Sequence, residues 1–359
     1  MPAWSGNGSR LEFGTGLGRG LGYGHVEWLG GREVVAVVEC RLCPKQCRIP
    51  EGHAGDCRVR MNLDGRLRAV TFGLPVSVHV DPVEKKPFFH YHPGRRILSL
   101  ATVGCNLHCR NCQNWQISQA NPEDVEAHDL PPDAVVEVAE REGIPLLAAT
   151  YTEPLVYWEY TYEVAAAAKR RGIRTAVVTA GYVNEQPARE LFRVVDAATV
   201  DVKAFDDRFY REVCGGGLRP VLEFLRIARE EGAWLEVSNL VIPGMSDDLG
   251  KVRQLVRWVR DNLGADTPLH FLRFHPQYRL ENLPPTPVAT LEAAWTLARE
   301  EGLRYVYLGN VPGHESENTR CPSCRAVVIG RAGYRVREIR VTPDGKCGSC
   351  GAAITGRFA

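Results

Sequence analysis

Gly104-Cys105-Asn106-Leu107-His108-Cys109-Arg110-Asn111-Cys112-Gln113-Asn114-Trp115 follows directly on the apolar run Ile97-Leu98-Ser99-Leu100-Ala101-Thr102-Val103. The run reads as a strand, and the spacing C-x3-C-x2-C sets three thiols in the loop that leaves its C-terminal end. At that spacing the sulfurs can converge on one cluster without a long loop. A cubane [4Fe–4S] cluster normally takes four Cys ligands, so Cys105, Cys109 and Cys112, with no fourth Cys nearby in sequence, leave one iron open to a non-protein ligand. Chemistry would occur at that open iron. The plainer alternative is a zinc or electron-transfer site.

Composition bounds the rest. A chain of 359 residues is long enough for one large α/β domain with small appendages. Lys+Arg 44 against Asp+Glu 43 leaves a net charge of +1, which gives no footprint of a dedicated nucleic-acid or anionic-membrane binder. No apolar run approaches the ~20 residues of a spanning helix, and the N-terminus lacks the order of a signal peptide. The expected location is therefore the cytoplasm, with no membrane partner. The 12 cysteines fall into sets of four, three, one and four, and C-x2-C pairs occur in three of them. That usage reads as metal ligation in a reducing compartment, not as disulfides.

Outward toward the N-terminus, residues 1–30 are glycine-rich around Gly14 to Gly24 and read as a disordered tail, because no strand precedes and no helix follows a phosphate-cradling loop there. Residues 31–96 read as a Cys-rich extension. Cys40, Cys43, Cys47 and Cys57 follow C-x2-C-x3-C-x9-C, and the fourth returns across a turn containing Gly52, His53, Gly55 and Asp56. Zinc is the first expectation for this set, a second iron–sulfur cluster the next, and unliganded thiols the last. Residues 59–80 alternate like short antiparallel strands. In the following segment His90 and His92 stand two apart, which suits a satisfied aromatic strand better than a metal pair, and Lys85 and Lys86 are expected to be solvated.

From 97 to 311 the pattern alternates strand and helix. Strands are expected at 97–103, 146–151, 174–179, 197–203, 234–242, 268–274 and 304–309. Helices are expected at 133–142, 156–171, 185–194, 219–231, 247–263 and 288–301, with Asp247 as an N-cap. Regular βα repeats with short loops imply a parallel sheet closing toward a barrel, whose ligands sit at the C-terminal strand ends. Cys214, flanked by Gly215, Gly216 and Gly217, reads as an ordinary thiol at a flexible turn. Beyond 312, Cys321 and Cys324 are separated from Cys347 and Cys350 by a strand-like hairpin, a zinc-ribbon pattern that offers two thiolates from each knuckle. A closed structural site is the favoured role there, and a docking module the competing one.

The three-cysteine loop resembles the signature of the radical S-adenosylmethionine (SAM) superfamily, whose fold is a partial (β/α)6 barrel with the cluster after the first strand. The resemblance implies a [4Fe–4S] cluster whose open iron chelates SAM, and reductive cleavage of SAM to a 5′-deoxyadenosyl radical. The aromatic residue that the family usually places before the last cysteine is Asn111 here, so either Trp115 stacks on the adenine or nothing does. By the same resemblance the strand ends carry SAM contacts. Glu153, where the family has Gly-Gly-Glu, accepts from the SAM ammonium, Thr179 hydrogen-bonds the cofactor, and His275 reaches the adenosine. Asp201 and Lys203 alternate on one strand face, so Lys203 can neutralise the SAM carboxylate, or the two can form a structural ion pair.

Together with Glu84-Lys85-Lys86-Pro87, Thr150-Tyr151-Thr152-Glu153-Pro154 and Tyr307-Leu308-Gly309-Asn310-Val311, the cysteine sets look like the radical SAM protein of the AmmeMemoRadiSam system, which is similar to pyruvate formate-lyase activating enzyme. That implies an oxidoreductase with a flavodoxin- or ferredoxin-type electron donor, a protein or small-molecule substrate, and AMMECR-type and Memo-type partners. The alternative from another class is a metal-stapled module that binds protein or nucleic acid and carries a structural or sensing cluster.

Overall fold

A computed structural model describes residues 36–358. The glycine-rich stretch 1–30 lies outside the described residues. The chain begins with two small antiparallel ribbons, β1 (Val37–Glu39) with β2 (Arg48–Pro50) and β3 (Arg60–Leu63) with β4 (Arg66–Ala69). Then come β5 (Ser77–Pro82) and β6 (Arg96–Ala101), which pair antiparallel. After α1 (Trp115–Ser118) the βα repeat sets in with α2 (Pro132–Arg141), β7 (Leu146–Ala149), α3 (Trp158–Arg170), β8 (Arg174–Thr179), α4 (Glu185–Leu191) and β9 (Ala197–Asp201). It continues through α5 (Asp207–Phe209), α6 (Leu218–Glu230), β10 (Trp234–Val241), α7 (Leu249–Leu263), β11 (Leu269–Arg273), α8 (Val288–Glu300) and β12 (Val306–Gly309). A last antiparallel sheet joins β13 (Thr319–Arg320), β14 (Val327–Ala332) and β15 (Arg335–Ile339).

The main sheet has eight strands in the order β12-β11-β10-β9-β8-β7-β6-β5. All neighbours from β6 to β12 run parallel. This α/β architecture is the partial-barrel type expected from the repeat. The βα alternation dictates it: a parallel pair needs a crossover, each crossover is a helix, and strands covered on both faces become continuously apolar. β7 is buried at every position. α6 buries Leu218, Val221, Leu225 and Ala228 at three- and four-residue spacing against the sheet.

Of the short antiparallel strands expected over 59–80, β3 and β4 pair with each other, and β5 edges the main sheet in register with β6. α7 is capped by Asp248, whose carboxylate accepts from the Lys251 N–H at 2.8 Å, whereas Asp247 accepts from Gly244 N–H at 2.9 Å in the preceding turn. The expected cap was one residue early because two adjacent aspartates both suit the position.

The floor of the barrel is filled by residues 83–92. Ala148, Ala176 and Ala197 are small, and the room they leave takes Val83, Phe88 and Tyr91 beside Ile97, Leu146 and Trp234. Buried Glu236 gathers this segment, accepting from the Phe89 and His90 N–H groups (3.0 and 2.8 Å), the Trp234 indole (3.2 Å) and His270 Nε2 (2.8 Å). His90 is thus a packed, bonded histidine and no metal pair with His92. The expectation of a solvated Lys86 fails: it is 2 % exposed, and its ammonium lies 2.7 Å from Asp81 and over the Tyr151 ring. Lys85 remains partly exposed and pairs with Asp81 at 2.8 Å.

The C-terminal sheet closes the same end from outside. Phe89, Tyr305 and Tyr307 pack with Val328, Ile329, Val341 and Ile354. Arg331 reaches through to Phe89 O at 2.6 Å and to Thr319 Oγ1 at 2.9 Å. With the floor sealed, the C-terminal strand ends are the end left for a ligand. Among the described residues no helix is long and apolar enough to cross a membrane.

Candidate active site

The three-cysteine loop is held from three sides. Gly104, at φ +98°, turns the chain out of β6, and a Cβ there would come within 2.5 Å of Val59 Cγ1 and 2.8 Å of Cys57 O. Only glycine lets the loop lie against the N-terminal extension. On the opposite side, His108 N–H donates to Cys214 O at 2.7 Å and Arg110 N–H to Val213 O at 3.0 Å, so the loop pairs with the π turn Tyr210–Cys214. Gly216 has no room for a Cβ either, which would meet Leu107 Cδ2 at 2.5 Å. From above, Gln277 Nε2 donates to Gln113 O at 2.9 Å and Arg279 N–H to Arg110 O at 2.9 Å.

Each thiol has its own donor. Leu107 N–H reaches Cys105 Sγ at 3.3 Å, Ser118 Oγ lies 3.1 Å from Cys112 Sγ, and the Cys214 thiol bonds Cys109. Burial pushes the Cys105 and Cys112 thiols up. Cys109 is held below the ordinary thiol value, first by the Cys214 hydrogen bond and then, against burial, by the Lys203 ammonium. At Cys109 the neighbouring thiol and the fixed cation favour the thiolate form that ligates iron.

Strand ends bring the other expected residues to the same mouth. Glu153 is buried, and its Oε1 accepts from Thr179 Oγ1 (2.5 Å) and Leu155 N–H (3.1 Å) while Oε2 accepts from Ala180 N–H (2.9 Å). One lone pair on Oε2 stays available to a ligand donor. Burial raises the Glu153 carboxyl, and the three donors pull it back. Lys203 Nζ lies 2.7 Å from Asp201 Oδ2, and Ser238 donates to the other oxygen of Asp201. Burial by itself would depress Lys203, but Asp201 and Cys109 outweigh it and hold the ammonium charged. The pair is therefore both a structural ion pair and a cation beside the loop. Phe205, Asn239 and Met245 border a cavity of about 280 Å³ where the chain leaves β9 and β10.

His275 is exposed just beyond the C-terminal end of β11 and is not packed in the core. Trp115 stacks on Tyr278 with ring centroids 5.1 Å apart at 12°, so one of its faces is already covered. Sequence reasoning left Cys214 as an isolated thiol, but it is fully buried and touches Cys109. Two of the three following glycines were the signal: Gly215 and Gly216 allow the close approach to His108 and Leu107. Ser238 carried no local signal at all.

The two outer cysteine sets differ. In the ribbon Cys321 Sγ lies 3.7 Å from Cys350 Sγ and Cys324 Sγ 3.7 Å from Cys347 Sγ, and the four ligand atoms lie within 4.8 Å of one another. A tetrahedral zinc site with Zn–S of ≈ 2.3 Å has sulfurs about this far apart, so the thiols present fit that ion. Cys40, Cys43, Cys47 and Cys57 come together around one hollow but do not close to that degree.

Cys105, Cys109 and Cys112 also stand wider than a single ion requires. That spacing, the S-directed donors and the glycine-lined cradle fit a [4Fe–4S] cluster.

Comparison with known proteins agrees with the geometry. The profile of the Radical SAM superfamily matches residues 99–256. The uncharacterized protein MJ0808 of Methanocaldococcus jannaschii is 45% identical over 318 residues, covering 88% of this chain and 95% of that protein. Pyruvate formate-lyase 1-activating enzyme of Escherichia coli is 23% identical over 60% of this chain and 93% of its own. Among solved structures, Streptococcus suis SuiB overlaps 64% of this chain and 52% of its own with a TM-score of 0.48 and 12% identity. The three-cysteine loop at the first parallel strand, the barrel around it and these relatives place the chain in the radical SAM superfamily, among proteins like the pyruvate formate-lyase activating enzymes.

Proposed function

We propose that the protein cleaves SAM reductively at a [4Fe–4S] cluster held by Cys105, Cys109 and Cys112, and that it abstracts hydrogen from a protein partner in the manner of an activating enzyme. Bound there and reduced by one electron, the cluster supplies the cleavage of SAM to methionine and a 5′-deoxyadenosyl radical. The residues of this chain do the rest. Glu153 and Thr179, locked to each other, present an acceptor to an ammonium, and Lys203 offers a charged donor to a carboxylate. Asp201 and Ser238 keep the Lys203 side chain from swinging away. The sealed floor confines a reactive species to one opening.

The observation that carries this reading is the meeting of three donor-supported thiols with Lys203 and Glu153 at one strand-end mouth. A partner that is itself a protein rests on the likeness to activating enzymes, as do a flavodoxin- or ferredoxin-type donor and the AMMECR-type and Memo-type partners. Anaerobic reconstitution with iron and sulfide, reduction, and mass-spectrometric detection of 5′-deoxyadenosine test the chemistry. The product forms with the native chain and disappears in Cys105→Ala, Cys109→Ala and Cys112→Ala. Product from all three variants would remove the assignment.

A further inference from the structure

The N-terminal cysteines differ from the ribbon in a way that bears on what they bind. Among the described residues the ribbon is the one Cys, His, Asp or Glu group whose ligand atoms all lie within 4.8 Å, so no three of Cys40, Cys43, Cys47 and Cys57 are that compact. Their side chains line a small hollow of about 10 Å³, together with Leu42, Ile49 and Val156. A single zinc ion draws four sulfurs to tetrahedral-edge distance and leaves no hollow between them. A cubane holds its thiolates apart, as the loop of Cys105, Cys109 and Cys112 does.

Backbone donors turn toward this hollow as they do at the first loop. Asp56 N–H lies 3.4 Å from Cys47 Sγ, and the N–H groups of Val59 and Arg60 bond Cys57. Three of the four thiols are buried, and Cys47 stands at the rim. The hollow also abuts the first site. Asn106, next in chain to Cys105, lines it beside Cys43, while its Nδ2 donates to Tyr182 O at 2.8 Å. His108, next in chain to Cys109, bonds Asp56 Oδ2 at 2.9 Å, which precedes Cys57. Leu42 O and Arg41 O accept from Asn184, so the extension is fastened to the barrel on its other side as well.

We propose that Cys40, Cys43, Cys47 and Cys57 hold a second [4Fe–4S] cluster, ligated by four thiolates, and that it passes single electrons through Asn106 to the three-cysteine site. The electron-transfer half rests on the function proposed above, while the cluster half stands without it. In each transfer a reduced flavodoxin- or ferredoxin-type protein gives one electron to the N-terminal cluster. That cluster gives it to the cluster at Cys105, Cys109 and Cys112 and returns to its oxidised state. With all four corners ligated by protein, the N-terminal site has no opening for SAM, which suits it to relay and not to cleavage.

The full chain, expressed with iron and purified anaerobically, tests this. The triple variant Cys105→Ala/Cys109→Ala/Cys112→Ala retains about four irons and four sulfides per chain, with a reduced-state EPR signal that SAM does not perturb. Cys40→Ala/Cys43→Ala loses that signal and keeps a SAM-sensitive one, and zinc at the ribbon reports that each variant is folded. Cys47→Ser, at the rim, shifts the SAM-insensitive signal without emptying the site. A triple variant free of iron, whether the N-terminal set holds zinc or no metal, overturns the cluster. For the relay, the loss of 5′-deoxyadenosine formation in Cys40→Ala/Cys43→Ala is at least about tenfold larger with reduced flavodoxin than with dithionite, one decade of rate. Equal losses overturn the relay and leave the cluster standing. Iron at both sites with no SAM cleavage by the native chain would defeat the proposed function alone.

Discussion

Cys214 decides how open the first site is. It is buried, belongs to the π turn that pairs with the loop, and donates its S–H to Cys109. Burial and the thiolate it faces both raise its own pKa, so it stays a donor. Cys214→Ala therefore retains the iron of the three-cysteine site and the response of its EPR signal to SAM, while the signal itself shifts because a hydrogen bond to a ligating sulfur is gone. Iron analysis with EPR checks both. Loss of about four irons from Cys214→Ala would make Cys214 the fourth ligand and close the corner that SAM needs. The sequence showed the thiol and its three glycines, but not that the turn returns to residue 109, because that contact spans the whole of β7 to β9.

At the scale of elements, the repeat was legible because strands such as β7 are continuous apolar runs and helices such as α6 show a three- and four-residue period. Strand β8 was expected and found at 174–179, and α8 was expected at 288–301 and found at Val288–Glu300. What stayed hidden were partners distant in sequence. Lys86 is buried because Asp81 and the Tyr151 ring wait for it, and nothing in Glu84-Lys85-Lys86-Pro87 announces either. The candidate site was legible in the same measure. The ligand cysteines stand in one loop, whereas Ser238 and Tyr278 join the site only through the fold. Local chemistry also fixes where α7 begins. Asp248→Ala removes the bond to the Lys251 N–H and lowers stability by about 1 kcal/mol. Urea unfolding measures it, and a larger loss from Asp247→Ala than from Asp248→Ala would return the cap to the earlier residue.

At the scale of the whole molecule, the two ends of the barrel have opposite tasks, and the ribbon serves the closed one. Its apolar face is spent on Phe89, Tyr305 and Tyr307. Docking turns on His90, which is fully buried, donates from Nδ1 to Thr355 O at 2.6 Å and accepts at Nε2 from the Tyr307 hydroxyl at 2.5 Å. A backbone carbonyl can only accept, so this bond fixes the tautomer. Both bonds describe a neutral ring, and burial lowers its pKa to about 4 from 6.5, with Glu236 opposing the shift in part. Between those two values the unfolded chain binds a proton that the folded chain refuses. Stability contributed by neutral His90 is therefore complete above about pH 6.5 and falls as the pH drops toward 4, by up to about 1.4 kcal/mol per pH unit. Hydrogen exchange at β14 and β15, followed from pH 7 to pH 5 after correction for intrinsic rates, should show the ribbon loosening in the native chain. His90→Gln should start less stable and lose most of that pH dependence. A native chain whose ribbon protection does not change over this window would mean that the floor is held by its apolar contacts and Arg331 alone, with no contribution from the histidine.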